Sequence, residues 1–129
     1  MKISVIIPCY NEENTIIEIL KKVNNQKKIF DIEIIVSDDC STDKTINLLE
    51  ENIELYDQLV KNKKNSGKGS AIKKGLELSK GEIVIFQDAD REYSPQNYNK
   101  LLEKLLSNNL DAVFGSRILE NRTYHVYTL

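Results

Sequence analysis

Val5-Ile6-Ile7-Pro8-Cys9-Tyr10-Asn11-Glu12 runs from an unbroken apolar stretch into a polar turn, and the same switch recurs at Ile34-Ile35-Val36-Ser37-Asp38-Asp39 and at Ile83-Val84-Ile85-Phe86-Gln87-Asp88. β-Branched runs without polar alternation are the pattern of strands buried on both faces, as in a parallel sheet covered by helices. The intervals fit that pattern. Asn14 to Val23 places Ile16, Ile17, Leu20 and Val23 at helical spacing, with Asn11 or Asn14 available as cap and Glu12 and Glu13 in the first turn. Thr42-Asp43 opens a second helix through Leu48 and Leu49, Leu59-Val60 reads as a short strand, and Ser70 to Leu78 as a third helix ended by Gly81. Pro95 to Leu106 reads as a fourth helix with Tyr98, Leu101, Leu102, Leu105 and Leu106 on one side, and Ala112-Val113-Phe114 as the start of a further strand. This alternation predicts an α/β fold with a mostly parallel sheet and right-handed crossovers. On such sheets ligands collect at the carboxyl ends of the strands.

The composition agrees. The chain has 129 residues, and its 18 Lys and Arg against 20 Asp and Glu leave a net charge of −2, which excludes a nucleic-acid binder. With 40% hydrophobic and 29% charged residues it is neither disordered nor membrane-embedded, and its apolar runs are too short to cross a bilayer. The apolar run before Pro8 is too short for a signal peptide, so a cytoplasmic location is expected. Cys9 and Cys40 lack partners at metal-ligand spacing and are expected to be free thiols. Residues 1–118 read as one core, whereas the tail 119–129 has no clear period and no closing element, so the chain is expected to end within the fold, with the tail opening an acceptor-binding part.

Three acidic or polar turns share the predicted rim: Pro8 to Glu12, Ser37 to Asp43, and Gln87 to Asp90. Acidic loops at separate strand ends repel one another unless a cation or hydrogen-bond donors answer them. Asp88-Ala89-Asp90 can converge two carboxylates on one hard cation such as Mg²⁺ or Mn²⁺, and Glu92 can add a third oxygen, although Asp-x-Asp is also common in surface turns. Asp39 is placed to accept a hydrogen bond from a base ring N–H, whereas Ser41 and Asp43 suit capping of the next helix. Glu12 reads either as a site residue or as a first-turn helix acid. Asn65-Ser66-Gly67-Lys68-Gly69-Ser70 resembles a phosphate loop but lacks the glycine five residues before Gly67 that a Walker motif requires. The run Lys61 to Lys74 carries six lysines and no acid, which suits a solvated face or a nearby diphosphate or anionic lipid head. Arg117, after Gly115-Ser116, is either a surface arginine or a phosphate contact on the same rim. With His125 as the one histidine, serine- or cysteine-hydrolase chemistry is not supported.

Val5-Ile6-Ile7-Pro8-x-Tyr10-Asn11-Glu12, Val36-x-Asp38-Asp39-x-Ser41-x-Asp43, Asn65-x-Gly67-Lys68-Gly69 and Asp88-Ala89-Asp90, in that order, resemble the family 2 inverting glycosyltransferases with the GT-A fold. Gln87-Asp88-Ala89-Asp90-x-Glu92-Tyr93-x-Pro95 and Gly115-Ser116-Arg117 are more particularly similar to the polyprenyl-phosphate, dolichol-phosphate mannose synthase-like branch. The resemblance implies a Rossmann-like three-layer sandwich in which Pro8, Tyr10, Glu12, Asp39, Lys68, Asp88, Ala89, Asp90 and Arg117 bind a nucleoside-diphosphate sugar. Asp88 and Asp90, with Glu92, would hold the metal. The branch often carries Gln at the position of Glu92, so this chain departs from it there.

The resemblance also implies inverting transfer, with a polyprenyl phosphate as favoured acceptor and a saccharide hydroxyl as the alternative, at the cytoplasmic face of a membrane. A phosphate acceptor is already ionised near neutral pH, whereas a hydroxyl needs a general base, which the family places downstream of these residues. A non-catalytic nucleotide-binding fragment is a further alternative. A response-regulator receiver would need its acid pair after the first strand, and a nucleotidyltransferase would need a glycine-rich loop there; Pro8 to Glu12 offers neither.

Overall fold

A computed structural model of the chain describes residues 1–90 and 94–113. They fall in two compact units, the first spanning Met1–Pro95 and the second beginning at Gln96. The first unit holds strands β1 (Lys2–Cys9), β2 (Asp31–Asp38), β3 (Gln58–Lys61) and β4 (Ile83–Phe86), with helices α1 (Ile16–Asn25), α2 (Thr45–Glu51) and α3 (Lys68–Leu78) between them. The strands form one sheet in the order β3-β2-β1-β4, every neighbour parallel.

Why these runs form the centre follows from their burial. Val5, Ile6, Ile7, Ile34, Ile35 and Val36 have no exposed surface, and each such side chain contributes roughly 1.5–3 kcal/mol relative to its exposed state. The chain steps in one direction from β1 to β3 and then back across to β4, so right-handed crossovers put α1 and α2 on one face and α3 on the other. The contacts agree: α1 packs on α2, and α3 packs on β1 and β2. Gly75 lets α3 approach closely, since a Cβ there would lie 2.6 Å from Cγ2 of Ile6. A reversal of strand order, here at β1 and β4, opens a crevice at the carboxyl edge.

β1 continues through Pro8 to Cys9 instead of stopping at the proline. The N–H of Gln87 donates to the Ile6 carbonyl, so Ile6 and, two residues on, Pro8 turn their backbone groups toward β4, whose pairing has already ended at Phe86. The missing proline N–H costs no ladder bond. Gly81 does not cap α3: that helix ends at Leu78 with Ser79 extended, and Gly81 instead donates its N–H to Ser4 Oγ at 2.8 Å. The nearest heavy atom to a Cβ at Gly81 would be the backbone N of Ser4, at 2.5 Å, so close packing and not a left-handed turn accounts for the glycine. Neither Asn11 nor Asn14 caps α1, whose flanking residue is Thr15.

In the second unit α4 spans Tyr98–Ser107 after a 3-10 turn at Pro95–Asn97. Tyr98 and Leu102, one helical turn apart, are buried, and burial pushes the Tyr98 phenol up. Leu106, expected on the apolar side, is exposed. Ala112 and Val113 are not in a strand, and Phe114 lies outside the described residues. No described helix is long and apolar enough to cross a membrane.

Candidate functional site

The loops after β1, β2 and β4 meet at the carboxyl edge of the sheet, and side-chain hydrogen bonds tie them together. Asn11, at φ 51°, donates its N–H to Ser41 Oγ at 2.9 Å, and its Oδ1 accepts from the N–H of Thr42 at 2.7 Å. The N–H of Glu12 donates to Thr45 Oγ1, and the N–H of Glu13 to Asp43 Oδ2. Thr15 Oγ1 lies 2.7 Å from the Ala89 carbonyl oxygen and 3.2 Å from Glu12 Oε2, bridging the first loop to the third. Tyr10 stands out into solvent beside this network.

The adjacent acids at the end of β2 divide the work. Asp38 accepts from the N–H and hydroxyl of Ser41 and shapes its own turn. Asp39 is buried and reaches across to the loop before α3, where Oδ1 accepts from Asn62 Nδ2 at 2.7 Å and from the Ser66 N–H at 2.9 Å, and Oδ2 accepts from the Gly67 N–H at 2.8 Å. Burial pushes the Asp39 carboxyl up, but these three donors, together with Lys74, hold it below the ordinary aspartate range. A carboxylate offers about four acceptor positions, so one remains for a ligand donor. Asp43 accepts from the N–H and hydroxyl of Thr45, the first residue of α2, but the residue flanking that helix is Lys44, so Asp43 shapes the turn without being its cap, and Ser41, turned to Asp38, does not cap it either.

Asp88 and Asp90 are half-buried just beyond β4, with the Ala89 backbone pinned between them by Thr15. Asp88 pairs with the ammonium of Lys68, the first residue of α3. The carboxylates are hard oxygen donors at an accessible edge, and one of them already binds a cationic group; this donor set fits Mg²⁺ or Mn²⁺ better than a soft metal. Among the described residues no three His, Cys, Asp or Glu side chains gather as a metal-binding group. Glu92 and Arg117 lie outside the described residues. Cys9 and Cys40 are both free; burial first, and then the nearby Asp38, push the Cys9 thiol up and keep it protonated.

Thus Pro8, Tyr10, Glu12, Asp39, Lys68, Asp88, Ala89 and Asp90 all lie on or beside the carboxyl edge within one compact unit. Sequence reasoning missed Thr15, Thr45, Asn62 and Ser66. Thr15 and Thr45 sit at helix starts, where a hydroxyl ordinarily reads as a cap. No local signal marks Asn62 as the partner of a carboxylate 23 residues earlier.

A parallel α/β sheet with acidic loops at its strand reversal defines a class of domain that binds ligands at that edge. The model of the glycosyl transferase family 2 matches residues 4–129, and the chain belongs to that family. It is 33% identical to the dolichol-phosphate mannosyltransferase of Pyrococcus furiosus over 93% of its own length and 34% of that protein's. Among solved structures it resembles S. aureus TarS 1–349 in complex with UDP-GlcNAc, with a TM-score of 0.72, 31% identity and coverage of 86% of this chain and 33% of that one. It also resembles the mannosyltransferase PcManGT of Pyrobaculum calidifontis in complex with GDP-Man and Mn²⁺, with a TM-score of 0.65, 30% identity and coverage of 88% and 33%. The fold is that of the GT-A glycosyltransferases. The chain spans about half the length, or less, of the curated relatives it matches.

Proposed function

We propose that this chain forms the donor-binding part of a glycosyltransferase that takes a nucleoside-diphosphate sugar through a divalent metal and transfers the sugar with inversion to a polyprenyl phosphate, at the cytoplasmic face of a membrane. The observation that carries the reading is the position of Asp88, at the end of β4 in the strand-reversal crevice, holding a cationic group and joined through Ala89 and Thr15 to the Glu12 loop. The named relative and the GDP-Man and UDP-GlcNAc complexes support the donor and acceptor classes.

In this reading Asp88 and Asp90, with Glu92, would hold Mg²⁺ or Mn²⁺, which would supply charge to offset that growing on the departing diphosphate. Pro8, Tyr10 and Glu12 line the nucleotide. The one acceptor position left on Asp39 takes a base N–H, and because the carboxyl is held ionised it is always an acceptor at neutral pH. Lys68 and Arg117 answer the phosphates. An ionised phosphate acceptor needs no base from this chain.

The test is a thermal-shift panel of nucleotide sugars with and without Mn²⁺, followed by transfer assays with polyprenyl phosphate and with saccharide acceptors. Stabilisation by a nucleotide sugar only when Mn²⁺ is present is expected, since a ligand that binds the folded state raises the midpoint. Indifference to every nucleotide sugar would sink the reading, and transfer to a saccharide alone would move the acceptor to a hydroxyl.

A further inference from the structure

The fold does not require the ion pair between Lys68 and Asp88. Lys68 is the first residue of α3, where the aligned peptide dipoles present positive charge, so its ammonium is opposed by its own helix and gains nothing for α3. Its backbone is nevertheless fixed. The preceding Gly67, at φ 93°, gives its N–H to Asp39, which also grips Ser66 and Asn62. Contacts therefore run without a break from Asp39 at the end of β2, through the loop, to Lys68 and on to Asp88 beyond β4, spanning the mouth of β1. Within the same basic run Lys61 pairs with Glu50 on the surface, while Lys68 alone is paired to the Asp-x-Asp step.

From this geometry we infer that Lys68 is a resident counter-cation of the Asp-x-Asp step. Its ammonium and a divalent ion compete for the Asp88 carboxylate, and the divalent ion binds more tightly when a diphosphate arrives to receive the displaced ammonium. The inference rests on the proposed metal role of Asp88. Two cationic groups on one carboxylate repel each other, so the metal alone must expel Lys68 into solvent. With a diphosphate present the ammonium moves from one anion to another, and its charge then works for binding instead of against it. Metal and nucleotide are thereby coupled through one side chain, and free metal is held more weakly.

The experiment is calorimetric titration of the full chain with MnCl2 alone, and then with UDP and GDP at saturating MnCl2, for the parent, Lys68→Gln, Lys68→Met and Asp88→Asn. Removing the ammonium should tighten Mn²⁺ binding in the absence of nucleotide by about 2- to 5-fold, the worth of a partly exposed ion pair, and weaken diphosphate binding in the presence of Mn²⁺ by a similar factor. That reversal of sign is the signature, because a purely structural lysine would move both affinities together or neither. Both Lys68 variants binding Mn²⁺ alone no tighter than the parent, while Asp88→Asn loses it, would overturn the inference and leave the metal site standing. Asp88→Asn binding Mn²⁺ as the parent does would bring down the metal reading and the inference with it.

Discussion

Glu33 and Asp39 sit at opposite ends of β2, and their surroundings are close copies of each other. Both carboxylates are buried, and both grip backbone N–H groups of a loop that precedes another element. Glu33 accepts from the Ser4 hydroxyl and the Lys80 N–H ahead of β4, while Asp39 accepts from Ser66 and Gly67 ahead of α3. In each case burial pushes the carboxyl up and the donors outweigh it, leaving the group below its ordinary range. What differs is strand polarity and what lies beyond the clamp. At the amino end the network closes on Ser4, whose Oγ takes the Gly81 N–H. At the carboxyl end it continues through Lys68 to Asp88. A buried, ionised carboxylate is thus no mark of a site by itself; its place at the edge where strands deliver ligands is.

The comparison would break most visibly at Glu33. Glu33→Ala strands the buried Ser4 hydroxyl and the Lys80 N–H, so a loss of about 3 kcal/mol in chemical denaturation is expected, with nucleotide affinity of the folded protein unchanged. A variant as stable as the parent would show that the amino-end clamp is idle. At the other edge the pattern should invert. Asp90→Ala is expected to lower Mn²⁺-dependent binding of a nucleoside diphosphate on the order of 100-fold while the unfolding midpoint barely moves. Binding that survives would remove Asp90 from the metal set.

The two packed glycines sharpen the same contrast, since both lie away from the carboxyl edge. A Cβ at Gly81 would press on the backbone N of Ser4 at 2.5 Å, and one at Gly75 on the Ile6 side chain at 2.6 Å. Backbone cannot give way, so Gly81→Ala should cost about 2–3 kcal/mol. Gly75→Ala should cost less, about 1–2 kcal/mol, because alanine returns about 1 kcal/mol of helix propensity. Denaturation midpoints in the reverse order would mean that Ile6 is the more rigid neighbour.

How much of this was legible in the sequence depended on the range of the interaction. The strands at Ile3–Ile7 and Ile32–Val36 declared themselves because a strand buried on both faces is almost wholly apolar, whereas Ile83–Phe86, equally apolar in sequence, is only partly buried and leaves Phe86 exposed; the rim residues followed from where these runs stop. Ser4 and Glu33 are the polar exceptions inside these runs; they are tolerated because they hydrogen-bond each other across the sheet, with the Lys80 N–H completing the set. Gly81 was read as a helix stop because glycine after a helix usually is one, yet its reason is Ser4, on a neighbouring strand. The clamp of Asp39 on Asn62, Ser66 and Gly67 was likewise invisible. A carboxylate at a strand end announces an acceptor, and only the fold says which donors reach it.

The smallest effect reads both clamps through proton linkage and separates them with the nucleotide. Glu33, Asp39 and Asp43 all have folded pKa values below their unfolded ones, so as pH falls the unfolded chain takes up protons first. Their contribution is full above the ordinary carboxylate range of about 4 and is lost as pH drops through the lowered folded values. Cys9 has the opposite sign in the opposite window: burial keeps the folded thiol protonated while the unfolded one ionises, so stability also falls as pH rises past the ordinary thiol value of about 8.5. Glu33→Gln and Asp39→Asn should each flatten the acid limb by up to one proton, a slope of about 1.4 kcal/mol per pH unit, measured as unfolding free energy between pH 2 and pH 6. Both keep an oxygen acceptor, so the slopes alone would not tell them apart. The nucleotide does: added UDP or GDP with Mn²⁺ should shift the Glu33→Gln curve upward as it shifts the parent, and shift the Asp39→Asn curve less. Equal shifts would mean that Asp39, like Glu33, holds the fold and touches no ligand.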